Sequence, residues 1–114
     1  MDHSSLGKNI QKYRKMKGLT QEDLAEMIEV TPHYIGLLER GRRLPSLKRF
    51  IAIANSLDVS ADLLLLDLLN NRFEIKATYI SKRMSVLTKE AADNIYDALD
   101  FMIDKAPKAD DDRR

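Results

Sequence analysis

The stretch "TPHYIGLLERGRRLPS", Thr31 to Ser46, decides how this chain is to be read. Thr31 is a helix-capping residue, and Pro32 suits the first helical position because the N–H there has no intrahelical partner. Ile35 and Leu38 then share an inward face, and Gly41 supplies the stop. Thr31, His33 and Gly36 fall on the opposite face, with Arg42 and Arg43 just past the helix end. Glycine inside a helix costs about 1 kcal/mol relative to alanine, so Gly36 asks for a reason. Close approach of another molecule is one reason; an indifferent surface position is the other.

Working outward, the same helical punctuation recurs. Leu6, Ile10 and Tyr13 repeat at helical spacing, Lys8, Lys12 and Lys15 take the other face, and Gly18 ends the run. Thr20 opens "TQED", which reads as a capping box with Asp23 in place of glutamate. Leu24, Ala25 and Ile28 line a second helix. Only "EVT" joins it to the third, too short for an antiparallel pair, so the two cross steeply as in a helix-turn-helix or a small bundle. Ser46 caps a fourth helix with the stripe Leu47, Phe50, Ile51, Ala54 and Leu57, and Ser60 caps a fifth through "ADLLLLDLL". No segment through residue 70 alternates convincingly like a strand, so this half is all-α.

At 114 residues the chain holds one domain, or a small domain with an appendage. It has no cysteine, which excludes disulfides and thiolate metal sites and fits a reducing, cytoplasmic setting. The start lacks the apolar run of a signal peptide, and no stretch nears the ~18 apolar residues of a membrane span, so no membrane partner is expected. The net charge of +1 hides an asymmetry. Residues 1–57 hold ten Lys/Arg and six Asp/Glu, a balance of +4; residues 58–114 hold nine and twelve, a balance of −3. The first half suits a polyanion, although ordinary solvation of two surfaces gives the same pattern.

Residues 6–66 resemble the phage lambda repressor-like (Xre-type) helix-turn-helix family. The matching elements are "GLTQEDLA", "YIGLLERGRRLPS" and "IANSLDVS", in order and without gaps. The resemblance implies a five-helix DNA-binding domain whose third helix lies in the major groove of double-stranded DNA. A helix N-terminus presents free N–H groups and partial positive charge, which suits that approach. Thr31, His33, Gly36 and Leu37 are then the expected base-reading set, with His33 able to bond a guanine edge and Leu37 limited to apolar contact. Pro32 has no side-chain donor, so direct readout rests on few residues.

The resemblance also implies a phosphate or base contact for Gln21, which is otherwise a good first-turn residue. Arg42 and Arg43 offer guanidinium forks to phosphates. Tyr34 is expected either at a phosphate or packed between helices. Arg14 and Glu39 match a family ion pair that orients the third helix. No Cys nucleophile, HExxH or glycine-rich phosphate loop is present, so catalysis is not expected, and no cofactor is implied. His33 and His3 show no metal-ligand spacing, so no metal is expected either.

Beyond residue 70 the reading rests on periodicity. "RFEIKATYISKRMSVL" alternates like a strand at Phe73, Ile75, Ala77 and Tyr79 but repeats like a helix at Ala77, Ile80, Met84 and Leu87. A lone strand would have nothing to pair with, so a helix from about Lys76 to Val86 is expected. "TKEAADNIYDALDFMIDKA" sets an apolar stripe of Ala92, Ile95, Leu99 and Met102 against an acidic one. The expected organisation is a DNA-binding domain over 1–70, a helical hairpin over 71–106 and a flexible tail over 107–114. The hairpin is the expected homodimer interface, through Ile80, Met84, Leu87, Ile95, Leu99 and Met102; the alternative is that this surface packs on the chain's own first half and the dimer interface lies there. The chain thus reads as an operator-binding repressor, with any small-molecule or protein effector left open. The alternative is a helix-turn-helix adaptor or antitoxin-like partner with little DNA binding of its own.

Overall fold

A computed structural model describes residues 4–109. In chain order the helices are α1 (Ser4–Met16), α2 (Gln21–Met27), α3 (Pro32–Glu39), α4 (Leu47–Leu57), α5 (Ala61–Leu64), α6 (Arg72–Met84) and α7 (Lys89–Lys105). A 3-10 turn, Leu66–Leu68, follows α5, and no strand occurs among the described residues. The caps form where the hydroxyl residues stand: Thr20, Thr31, Ser46, Ser60 and Thr88 each accept a backbone N–H three residues on. Each satisfies a donor that the helix itself leaves orphaned. At Thr20 the box closes, because Asp23 accepts the Thr20 N–H in return at 2.8 Å.

The chain divides into two compact units, one ending at Ala77 and the other starting at Thr78, inside α6. In the first unit α1 lies against α3, α4 and α5, and α2 against α3 and α4. Ile10, Leu24, Ile35, Leu38, Ile53, Leu57 and Leu64 are its most deeply buried large side chains. Backbone of α1 and α3 approaches closely at Gly7. A Cβ on Gly7 would overlap the Leu38 carbonyl oxygen and stand 2.8 Å from that of Glu39. Only a residue with no side chain lets the two helices come this near.

The turn between α2 and α3 contains a residue that composition gives no hint of. Glu29 has φ +59°, left-handed backbone that non-glycine residues adopt only at a cost. This lets Ile28 to Thr31 turn the chain in four residues.

Three expectations need correction. On α4, Leu47 is 74% exposed and Ile51 is also exposed, while Ile53 is fully buried. Two neighbouring stripes share Phe50, Ala54 and Leu57, and helical periodicity cannot choose between them. The fifth helix is a single short turn followed by the 3-10 turn rather than one run. The sixth starts at Arg72, four residues before Lys76, and stops at Met84 rather than Val86.

The second unit holds the end of α6 and α7. Met84 is buried, but Ile80 and Leu87 are exposed. None of α7's residues is buried, and Ile95, Leu99, Phe101, Met102 and Ile103 are all exposed. The apolar stripe expected to close a hairpin is only partly covered: Ile95 and Leu99 stay 40% and 37% exposed, and Met102 63%. Of the expected tail, residues 110–114 lie outside the described residues, as does His3.

Candidate nucleic-acid interface

The site is built from the back of α3 outward. Arg14 on α1 and Glu39 at the end of α3 have side chains only 8% and 1% exposed. Arg14 Nε donates to Glu39 Oε2 at 2.6 Å and Nη2 to Oε1 at 3.0 Å, while Nη1 donates to the Leu19 carbonyl at 2.7 Å. Glu39 Oε1 also accepts from Gln11 Nε2 at 3.3 Å and Gln21 Nε2 at 3.0 Å. No side-chain nitrogen or oxygen buried among the described residues lacks a partner. A buried pair offsets its desolvation only when its polar atoms find partners, and here Nε, Nη1 and Nη2 of Arg14 and both oxygens of Glu39 do. The network ties α1, α2 and α3 at one carboxylate and so fixes the attitude of α3.

The opposite face of α3 is the open one. Thr31, Pro32 and His33 are exposed and Leu37 is half-buried. The Thr31 hydroxyl accepts the Tyr34 N–H at 3.1 Å, which leaves its own proton for an outside acceptor.

Gly36 does not belong with them. It is buried, and a Cβ there would meet Arg40 Nη1 at 3.2 Å and Gln21 Oε1 at 3.8 Å. The side chains of Arg40 and Gln21 cover it, which a helical wheel of α3 cannot show. Tyr34 is packed rather than presented, with 8% of its surface exposed. Gln21 is half-buried, with one amide hydrogen committed to Glu39. Arg42 and Arg43 are exposed beyond the helix end.

Two cations were missed from sequence. Arg40 folds back over Gly36, and Arg49 comes from the first turn of α4 to lie over the Tyr34 ring at 4.8 Å from its centroid. A signal for Arg49 was present: the Ser46 cap, directly after "RRLP", puts Arg49 in the first turn of α4.

The helix-turn-helix family profile, HTH_3, matches residues 10–64, the span that holds every element of this site. The uncharacterized HTH-type transcriptional regulator YazB of Bacillus subtilis (strain 168) is 39% identical over 62 residues, covering 54% of this chain and 90% of that protein. The chain belongs to the HTH_3 helix-turn-helix family. Its solved neighbours agree. The restriction-modification controller protein C.AhdI of Aeromonas hydrophila matches with a TM-score of 0.53 and 35% identity, over 55% of this chain and 96% of that one. A complex of SinR and SinI matches further along the chain, over 88% of it and 99% of the neighbour, with 26% identity and a TM-score of 0.53. As an HTH_3 protein the chain is a DNA-binding transcriptional regulator, and its family is one of regulators rather than enzymes. No described helix is long and apolar enough to cross a membrane.

Proposed function

We propose that this HTH_3 protein is a cytoplasmic, sequence-specific repressor that occupies an operator in double-stranded DNA as a homodimer. The observation that carries it is the contrast between the two faces of α3. One is locked by Arg14, Gln21 and Glu39; the other ends in exposed Thr31 and His33, with Arg42 and Arg43 exposed beyond the helix. A rigid back and an open, cation-flanked front are what placing a helix in a major groove requires. In this reading Thr31, His33 and Leu37 touch base edges. Arg42, Arg43 and the second amide hydrogen of Gln21 take phosphates.

One short helix reads only a few base pairs, too few to select a site in a genome. Two copies on half-sites about 34 Å apart solve this. The partly exposed stripe of Ile95, Leu99 and Met102 supports α7 as the pairing surface. The same stripe also favours the adaptor alternative, in which a different protein covers it.

Selection from a pool of random duplexes separates the two readings. The repressor enriches one two-fold motif; the adaptor enriches none. Light scattering of the full chain should give a dimer, and Leu99→Asp should give a monomer. A wild-type monomer at concentrations that saturate DNA would overturn the dimer.

A further inference from the structure

We propose that Arg43, Tyr34 and Arg49 form a phosphate clamp, in which the buried tyrosine ring holds two guanidinium groups ready for the DNA backbone; it rests on the DNA-binding reading above. Arg43 follows α3 and Arg49 stands in the first turn of α4, yet their guanidinium carbons lie 5.3 and 4.8 Å from the centroid of one ring. Tyr34 is fixed by burial and by its N–H bond to the Thr31 cap. Among the described residues neither arginine has a carboxylate partner, since the ion pairs fall to Arg14, Lys17 and Arg72.

Two like charges on one ring repel unless something draws them there. The ring quadrupole supplies that attraction. It orders both side chains while leaving their N–H groups free of any anion. An arginine fork ordered in advance loses less freedom on meeting a phosphate, and two of them match the oxygens of one phosphate or of neighbours along a strand. Arg49 is thereby a backbone contact, and Tyr34 is the positioning residue that acts through both arginines. Because a phosphate looks alike at every step, the clamp strengthens binding to any sequence and sets the register of α3 without choosing bases.

The full chain and its variants are titrated with a mixed-sequence DNA duplex over a range of salt. Each neutralised phosphate contributes about 0.9 to the slope of log K against log salt, or about eight-fold in affinity at 0.1 M. Arg49→Ala is expected to show both losses, whereas Arg49→Lys keeps the slope and loses part of the affinity. Tyr34→Phe keeps the ring and should bind like wild type. Tyr34→Leu should weaken binding about three-fold or more with the slope unchanged, because the charges stay but lose their order. If wild type binds and Arg49→Ala matches it in affinity and slope, the clamp is wrong and the DNA reading stands. Tyr34→Phe as weak as Tyr34→Leu would also overturn it, since the hydroxyl and not the ring would then matter. Failure of wild type to bind any duplex at low salt defeats the DNA reading and the clamp with it.

Discussion

Arg14 and Glu39 meet in a two-pronged pair, Nε to Oε2 at 2.6 Å and Nη2 to Oε1 at 3.0 Å, which fastens the first helix to the last residue of the third. The pair is buried, so its strength lies less in mutual attraction than in what either partner leaves behind when removed. A guanidinium stripped of its carboxylate in this position keeps its desolvation penalty and loses the compensation.

Glu39→Ala should therefore cost about 3–5 kcal/mol of folding stability, measured by urea denaturation. It also frees Gln21 and Gln11, so the attitude of α3 should loosen in the surviving folded fraction. A loss below about 1 kcal/mol, the range of exposed pairs, would show that the network is not the brace described above.

The two buried glycines of α1 and α3 should behave oppositely. Gly7→Ala drives a methyl into the backbone carbonyl of Leu38, so α1 must move off α3, at about 2–3 kcal/mol or more. At Gly36 the nearest atom is the far end of the Arg40 side chain, at 3.2 Å, which can swing aside. Gly36→Ala should then stabilise the fold by up to about 1 kcal/mol through helix propensity. Thermal melts of both variants check the signs. If Gly36→Ala nevertheless weakens DNA binding, the placement of the Arg40 side chain over Gly36 matters to the interface.

Glu29 carries its left-handed backbone without help from its residue type. Replacing it with glycine should raise stability by about 1 kcal/mol, the strain that a side chain costs at such a φ. An unchanged or lower melting temperature would mean that the gain in unfolded-chain entropy offsets the relief.

His33→Ala should relax preference at one base position by about 1–3 kcal/mol, leaving the salt slope as it was. The check is a binding profile across single-base operator variants. Equal preference at every position before and after would remove His33 from the reading set.

Asp23 gives the fold a pH dependence at the start of α2. The Thr20 N–H and then the Thr20 hydroxyl hold its carboxyl below the ordinary value of 3.8. A depressed folded value means that the stabilisation is fully present above the unfolded pKa near 3.8 and is lost as pH falls through the lower folded value. The difference in stability between wild type and Asp23→Ala should accordingly shrink as pH drops below 3.8 and be constant above it.

What the sequence determined by itself is the part of the molecule written in local chemistry. Capping hydroxyls at Thr20, Thr31 and Ser46 and glycine stops at Gly18 and Gly41 act within a few residues of where they stand, so their effect can be read in one dimension. Tertiary structure decided everything that depends on which surfaces meet. It turned α4 so that Ile53 and not Ile51 faces inward, and it placed Arg40 and Gln21 over Gly36. It also brought Arg49 to the ring of Tyr34, fifteen residues earlier in the chain. A helical stripe specifies a face only to within one position, and long flexible cations reach neighbours that no spacing records. For α7 the limit is different. Its stripe is plain in the sequence, but none of its residues is buried in this chain. The apolar face says how much surface wants covering without saying by what.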